Sequence, residues 1–257
     1  MNNIFNLNRF GRLFIKHTAE HYRSYLMSLS VLLGVMILGG CFIVYMIDIP
    51  MEVQMQLAIF TMVLVLAGTI FTSTVFADIG DNKSAITSLT LPASHFEKYL
   101  VAWLYSYLFF LVIYTACFYM VMLLLTTIKH FPGQHTEILN IFYKGGGFQI
   151  CLVYAFLHSV TFCGAIFFEK LHFIKTAFIF FIGIAILIIG NNIVQQAMLG
   201  RNVVMNAPFG GVRFMENNKM ADINITGEML VYNLTLLSAL SFIFWTAAFF
   251  RLKEKQV

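Results

Sequence analysis

Charged side chains are scarce in this sequence. They make up 11% of its 257 residues, where a soluble domain carries about 25% to keep its surface in water. Most of this surface must therefore meet something other than water. The distribution is sharper still, because no Asp, Glu, Lys or Arg occurs in 24–47, 53–77, 99–128, 145–168, 176–200 or 229–250. Segments of about ten residues with alternating polarity are also missing, which excludes a transmembrane β-barrel. The four cysteines, Cys41, Cys117, Cys151 and Cys163, have no metal-ligand spacing and lie inside the charge-free windows, where they read as small packing residues. No G-x-x-x-x-G-K-[ST] phosphate loop is present, since Gly145-Gly146-Gly147 has no lysine after it. H-E-x-x-H, G-x-S-x-G and paired intramembrane carboxylates are absent as well. Nucleotide hydrolysis by this chain is thereby excluded, and no metal site is expected.

What remains is long apolar runs. Each charge-free window holds 22 to 30 residues, and about 20 cross the hydrocarbon core as a helix. Helices are required because backbone polar groups in lipid must be satisfied within their own segment. The expectation is an all-α polytopic membrane protein, a single transmembrane domain over 1–257. Its six spans are expected near 25–47, 57–77, 99–127, 147–168, 175–196 and 229–250. The first 24 residues carry Arg9, Arg12, Lys16 and Arg23, and the run after them is long enough to span. They read as the flank of a span and not as a cleaved signal. With the N-terminus inside, inside segments hold eleven basic residues and outside segments five. The positive-inside rule therefore puts both termini in the cytoplasm. The net charge of +4 follows from that bias and implies no nucleic acid.

At 100° per residue, Arg9, Arg12, Lys16 and Arg23 share one helical face, with Leu7, Phe10 and Phe14 roughly opposite. That pattern predicts an amphipathic interfacial helix over 1–22, its cations toward anionic headgroups. The connection 78–98 is long for a plain loop. Ile86 and Leu89 form a short apolar ridge, Pro92 breaks the helix by pushing Leu91 toward extended geometry, and Ser94 and Glu97 match a capping box that starts span three. That sequence of helix, stop and restart reads as a docking element. The polar 197–228 segment, with Pro208, Gly210 and Gly211, predicts a small external structure. Asn224-Ile-Thr226 and Asn233-Leu-Thr235 match glycosylation acceptors and are read as chance.

Polar residues inside spans mark contacts or pathways. Thr61, Thr69, Thr72, Ser73 and Thr74 crowd span two, and Ser30 and Gly34 form a small-xxx-small pair in span one; both sets read as helix packing. Asn191 and Asn192, with Gln195 and Gln196, end span five; the Asn pair is a candidate pathway lining. His158 is the one histidine deep in a span. Such groups are functional candidates, although a neutral imidazole bonded to a neighbouring helix is an equal reading.

The layout resembles the ABC-2 type permeases, membrane subunits of ATP-binding-cassette exporters. Six spans in about 250 residues, a basic amphipathic N-terminal helix, a structured loop after span two and an enlarged segment between spans five and six carry the likeness. In the loop, Asp78 or Asp81, Ser84, Leu89, Leu91, Pro92 and Ser94 follow the family's pattern, with Lys83-Ser84-Ala85 where it often has Gly-Thr. The resemblance implies that 78–98 is a coupling loop seating on a separate ATPase, with Ile86, Leu89, Leu91 and Pro92 at the contact. It also implies two permease copies in a bacterial cytoplasmic membrane, and ATP bound by the partner, with no cofactor in this chain. Two alternatives stand beside this non-enzymatic reading. One is an intramembrane enzyme using His158 with Glu169 or His172, and the other a non-transporting sensor or assembly protein.

Overall fold

The computed structural model describes residues 5–46, 52–75, 94–128, 137–141, 146–168, 171–200, 203–204, 211–216, 219–223 and 227–254. Among these, six helices are long and apolar enough to cross a membrane. They are α1 (Leu7–Met46), α2 (Val53–Val75), α3 (His95–Ile128), α4 (Gly146–Phe167), α5 (His172–Leu199) and α6 (Gly227–Glu254). Each covers one expected span to within two residues at the span's ends, and their length and composition make the chain an integral membrane protein.

The amphipathic segment expected at 1–22 is helical from Leu7 onward, and it continues without a break into the first span. Sharp kinks need Pro, a Gly/Ser pair or an inserted group, and no glycine or proline lies between Gly11 and Gly34. At 1.5 Å per residue, 40 residues extend about 60 Å, twice the roughly 30 Å hydrocarbon core. Asn6 caps this helix, its side-chain oxygen accepting the Asn8 N–H at 3.0 Å. The capping box is present at α3. Ser94 Oγ accepts the Glu97 N–H, and the Glu97 carboxylate accepts the Ser94 N–H. At the far end of α5, Gly200 takes the left-handed conformation (φ 61°) that closes a helix at little cost without a Cβ.

The six helices are buried to very different extents. Of the apolar window of α4, 56% is buried inside the chain, against 39% for α2 and α3, 11% for α6 and 6% for α1 and α5. The bundle is thus organised around α4, which packs on α6, α2 and α5. One core cluster joins Met36 of α1, Phe60 and Leu64 of α2 and Tyr114, Phe118 and Leu125 of α3. A second joins Tyr99 and Ala102 of α3, Phe162 and Ile166 of α4 and Ala248 and Leu252 of α6.

Close approaches are set by glycines other than the pair expected. Gly34 has open space beside it, and Ser30 hydroxyl donates to Leu26 O of its own helix, so neither makes a close interhelical approach among the described residues. A Cβ on Gly40 would instead strike Leu125, one on Gly68 Tyr154, and one on Gly164 Thr176. Thr69, Thr72 and Ser73 of α2 are buried as expected, yet their hydroxyls bond backbone carbonyls of α2 itself.

Two further segments lie between helices, one after α3 and one after α5. Residues 137–141 are held by fully buried Gln56, whose Nε2 donates to Glu137 O (2.8 Å) while its Oε1 accepts the Leu139 N–H (2.8 Å). Tyr119 hydroxyl donates to Leu139 O at 2.9 Å. The small structure expected within 197–228 is a three-stranded antiparallel sheet, β1 (Val203–Val204), β2 (Val212–Glu216) and β3 (Lys219–Ile223), in that order. Its registers are Val203↔Phe214, Val212↔Ile223 and Glu216↔Lys219. The fold is therefore all-α in its spans, with one small sheet between α5 and α6.

Candidate functional site

Among the described residues, three polar places in the apolar bundle differ in how completely their polar atoms are matched. The first is a corner where α1 and α3 begin. Glu97 is fully buried and accepts four hydrogen bonds. Arg9 donates through Nε to Oε2 (2.6 Å) and through NH2 to Oε1 (2.9 Å). The Asn6 N–H donates to Oε1 (2.8 Å), and the Ser94 N–H to Oε2 (3.0 Å). A buried carboxylate is costly unless paired and bonded. Here a bidentate guanidinium, the strongest common partner, comes from one helix and the capping N–H from the other. Aromatic rings extend the contact along α1. Phe14 lies on Tyr105 (5.0 Å) and Phe109 (5.8 Å), and Tyr25 stacks on Tyr105 (5.4 Å). Of the apolar stripe, Phe14 thus packs on α3, while Leu7 stays exposed.

The second place surrounds His158 on α4, which is fully buried. Its partners fix the tautomer. Trp245 Nε1–H of α6 can only donate, so His158 Nδ1 accepts it at 3.2 Å. Nε2 then carries the proton and donates to Ser106 Oγ at 2.9 Å. Ser106 in turn donates to Ala102 O at 2.8 Å. Rings of Tyr107 (5.0 Å) and Phe162 (5.3 Å) enclose the imidazole. Ser106 and Tyr107 sit in a six-residue π-helical stretch, Leu104–Phe109, whose widened turn is a device seen often at functional positions. The result is a closed chain of donors and acceptors across α6, α4 and α3. It ties three helices together, and the one lone pair a general base would need is occupied.

The third place is on α5. Asn191 and Asn192 are half-buried near its end, and Asn191 Nδ2, Asn192 Oδ1 and Gln195 Oε1 are shielded atoms with no hydrogen-bond partner among the described residues. Around them α5 shows exposed Ile186, Ile189, Ile193 and Val194.

The sequence-derived candidates are not gathered into one site. Ile86, Leu89, Leu91 and Pro92 lie outside the described residues, as do Glu169 and Asn224. His172 opens α5, beyond the end of α4, while His158 stands nine positions before that end, about 14 Å along the helix. The two histidines are not brought together. Among the described residues, no three His, Cys, Asp or Glu side chains are grouped to hold a metal ion. The four cysteines are free thiols.

Sequence reasoning did not find Arg9 as a partner of Glu97, Ser106 and Trp245 as partners of His158, or Gln56 as a staple. Glu97 was legible only as a cap, because the box is local. The Arg9, Ser106 and Trp245 contacts join positions separated by 88, 52 and 87 residues, for which periodicity carries no signal. No family model, curated protein or solved structure matches the chain.

Proposed function

We propose that the chain is the membrane-spanning permease subunit of an ATP-driven exporter of the ABC-2 type, working as a pair of copies with a separate ATPase. Its termini would lie in the cytoplasm, in a bacterial inner membrane. The observation that carries this reading is the Glu97 corner. It joins the basic start of α1 to the point where the 78–98 loop passes into span three. A protein that takes up work from a soluble motor needs such a junction between its cytoplasmic elements and its spans. The lipid-facing breadth of α1 and α5, and the unmatched amides near the end of α5, fit a chain completed by a second copy. In this reading the chain makes and breaks no bonds, and ATP is held by the partner.

An intramembrane enzyme built on His158 is less well supported. Both ring nitrogens are engaged, and no exposed surface reaches the imidazole.

The test is the double substitution Ile86→Asp with Leu89→Asp. Burying each apolar side chain on a partner would contribute about 1.5–3 kcal/mol, so the pair of charges should prevent seating. The expected result is normal membrane levels with loss of the co-purifying ATPase and of ATP-dependent export. Affinity purification from solubilised membranes, with the neighbouring ATPase co-expressed, is the measurement. Unmodified protein that retains no ATPase, or a double variant that retains it fully, removes the exporter reading.

A further inference from the structure

A buried carboxylate at a helix start usually has one local task, which is to cap. Glu97 has two, and they are separable. The capping task uses Ser94, whose N–H and Oγ face the Glu97 carboxylate and N–H. The second task uses Asn6 and Arg9, 91 and 88 positions away, which contribute three of the four bonds to the carboxylate. A cap alone needs no arginine. Moreover Asn6 is itself the cap of α1, so a single carboxylate receives the N–H of the capping residue of both helices. The starts of α1 and α3 are thereby fixed to one group. On its other side the start of α3 is bound to the bundle, through Tyr99 hydroxyl on Trp245 O (2.8 Å) and the Phe96–Phe249 ring pair (6.1 Å).

We propose that Glu97 is a positioning residue that makes the first turns of α1 and α3 one mechanical unit, so that a displacement of the segment leading into Ser94 reaches α1 through this carboxylate. The role deepens the exporter reading and rests on it for its purpose, though the tie itself does not depend on any partner. The geometry makes Arg9 the transmitting side chain. Its side chain is about a third exposed (34%) while that of the glutamate it grips is fully enclosed. Arg9 can therefore be changed without opening the buried site to a bulkier group.

The experiment is hydrogen exchange read by mass spectrometry on the full chain in lipid nanodiscs, comparing Arg9→Gln, Ser94→Ala and Glu97→Gln with the unmodified protein. Charge-assisted hydrogen bonds are strong enough that losing them should raise local exchange about tenfold or more. Arg9→Gln should speed exchange in both the 7–12 and the 95–101 amides, although the capping box is intact. Ser94→Ala should act on 95–101 and leave 7–12 unchanged. Glu97→Gln should loosen both, and if that variant does not fold, the Arg9 and Ser94 pair still decides. Arg9→Lys, which keeps the charge but not the fork, should fall between. An Arg9→Gln effect confined to 7–12, or none at either place, overturns the proposal. With the ATPase co-expressed, Arg9→Gln should keep it bound while lowering ATP-driven export, and unimpaired export overturns the transmitting role. If unmodified protein retains no ATPase, it is the exporter reading that falls, and the exchange result decides the tie by itself.

Discussion

His158 on α4 and the Asn191-Asn192 pair on α5 pose the same physical problem, a polar side chain in an apolar span, and the chain answers it in opposite ways. Around His158 every polar atom has a partner, and those partners come from two other helices. On α5, amide atoms shielded from solvent have none among the described residues. The difference follows from position. More than half of the apolar window of α4 is buried inside the chain, and 6% of that of α5 is. A polar group at the centre can be completed by its own chain, whereas one at the periphery has lipid or another molecule beside it. Unsatisfied polar groups in hydrocarbon are costly, so in the proposed assembly the α5 amides are where a second molecule would supply partners.

The comparison can be broken most directly at His158. His158→Ala removes a packed ring and strands the Trp245 N–H and the Ser106 hydroxyl. Combining a cavity with lost interhelical bonds, the expected loss is about 2–4 kcal/mol of stability. Denaturation in mild detergent would read it as a lowered midpoint, with activity per folded molecule retained. If folded protein is undiminished and activity vanishes, the imidazole is a reacting group and the enzyme reading returns. A second lever is the seam between the two helices compared. A side chain at Gly164 would run into Thr176, where α4 and α5 touch. Gly164→Val should cost about 1–3 kcal/mol by overpacking, and it should loosen α5 while leaving the His158 links in place. Cysteine-labelling rates on α5 and α6 would separate the two effects.

The smallest expected effect is on α5 itself. In the isolated chain, Asn191→Leu with Asn192→Leu removes groups that include unmatched atoms, so stability should move by no more than about 0.5 kcal/mol. In the proposed assembly the same change should lower export or pairing of copies. A loss in the isolated chain as large as that of His158→Ala would mean these amides already have partners inside it, and the contrast would collapse.

Much of the scaffold was legible in advance because its causes are local. Six charge-free windows became six helices, Ser94 and Glu97 formed the box their spacing predicts, and the polar stretch before span six holds a small sheet. Continuity between the basic segment and span one was a matter of local sequence too, since nothing there breaks a helix, yet an amphipathic pattern reads the same whether lipid or a neighbouring helix covers it. The Ser30–Gly34 pair shows the same limit. Small-residue spacing marks a face able to pack, and only the arrangement of helices decided that Gly40, Gly68 and Gly164 make the close approaches.

Hydropathy and capping chemistry act over a few residues, and the sequence by itself therefore determined how many spans exist and where the third one starts. The Asn6 and Arg9 partners of Glu97, and the partners of His158 and Gln56, were decided by tertiary structure alone. Each lies dozens of positions away, and a hydrogen bond forms only when packing has brought donor and acceptor to within about 3 Å in a place from which water is gone.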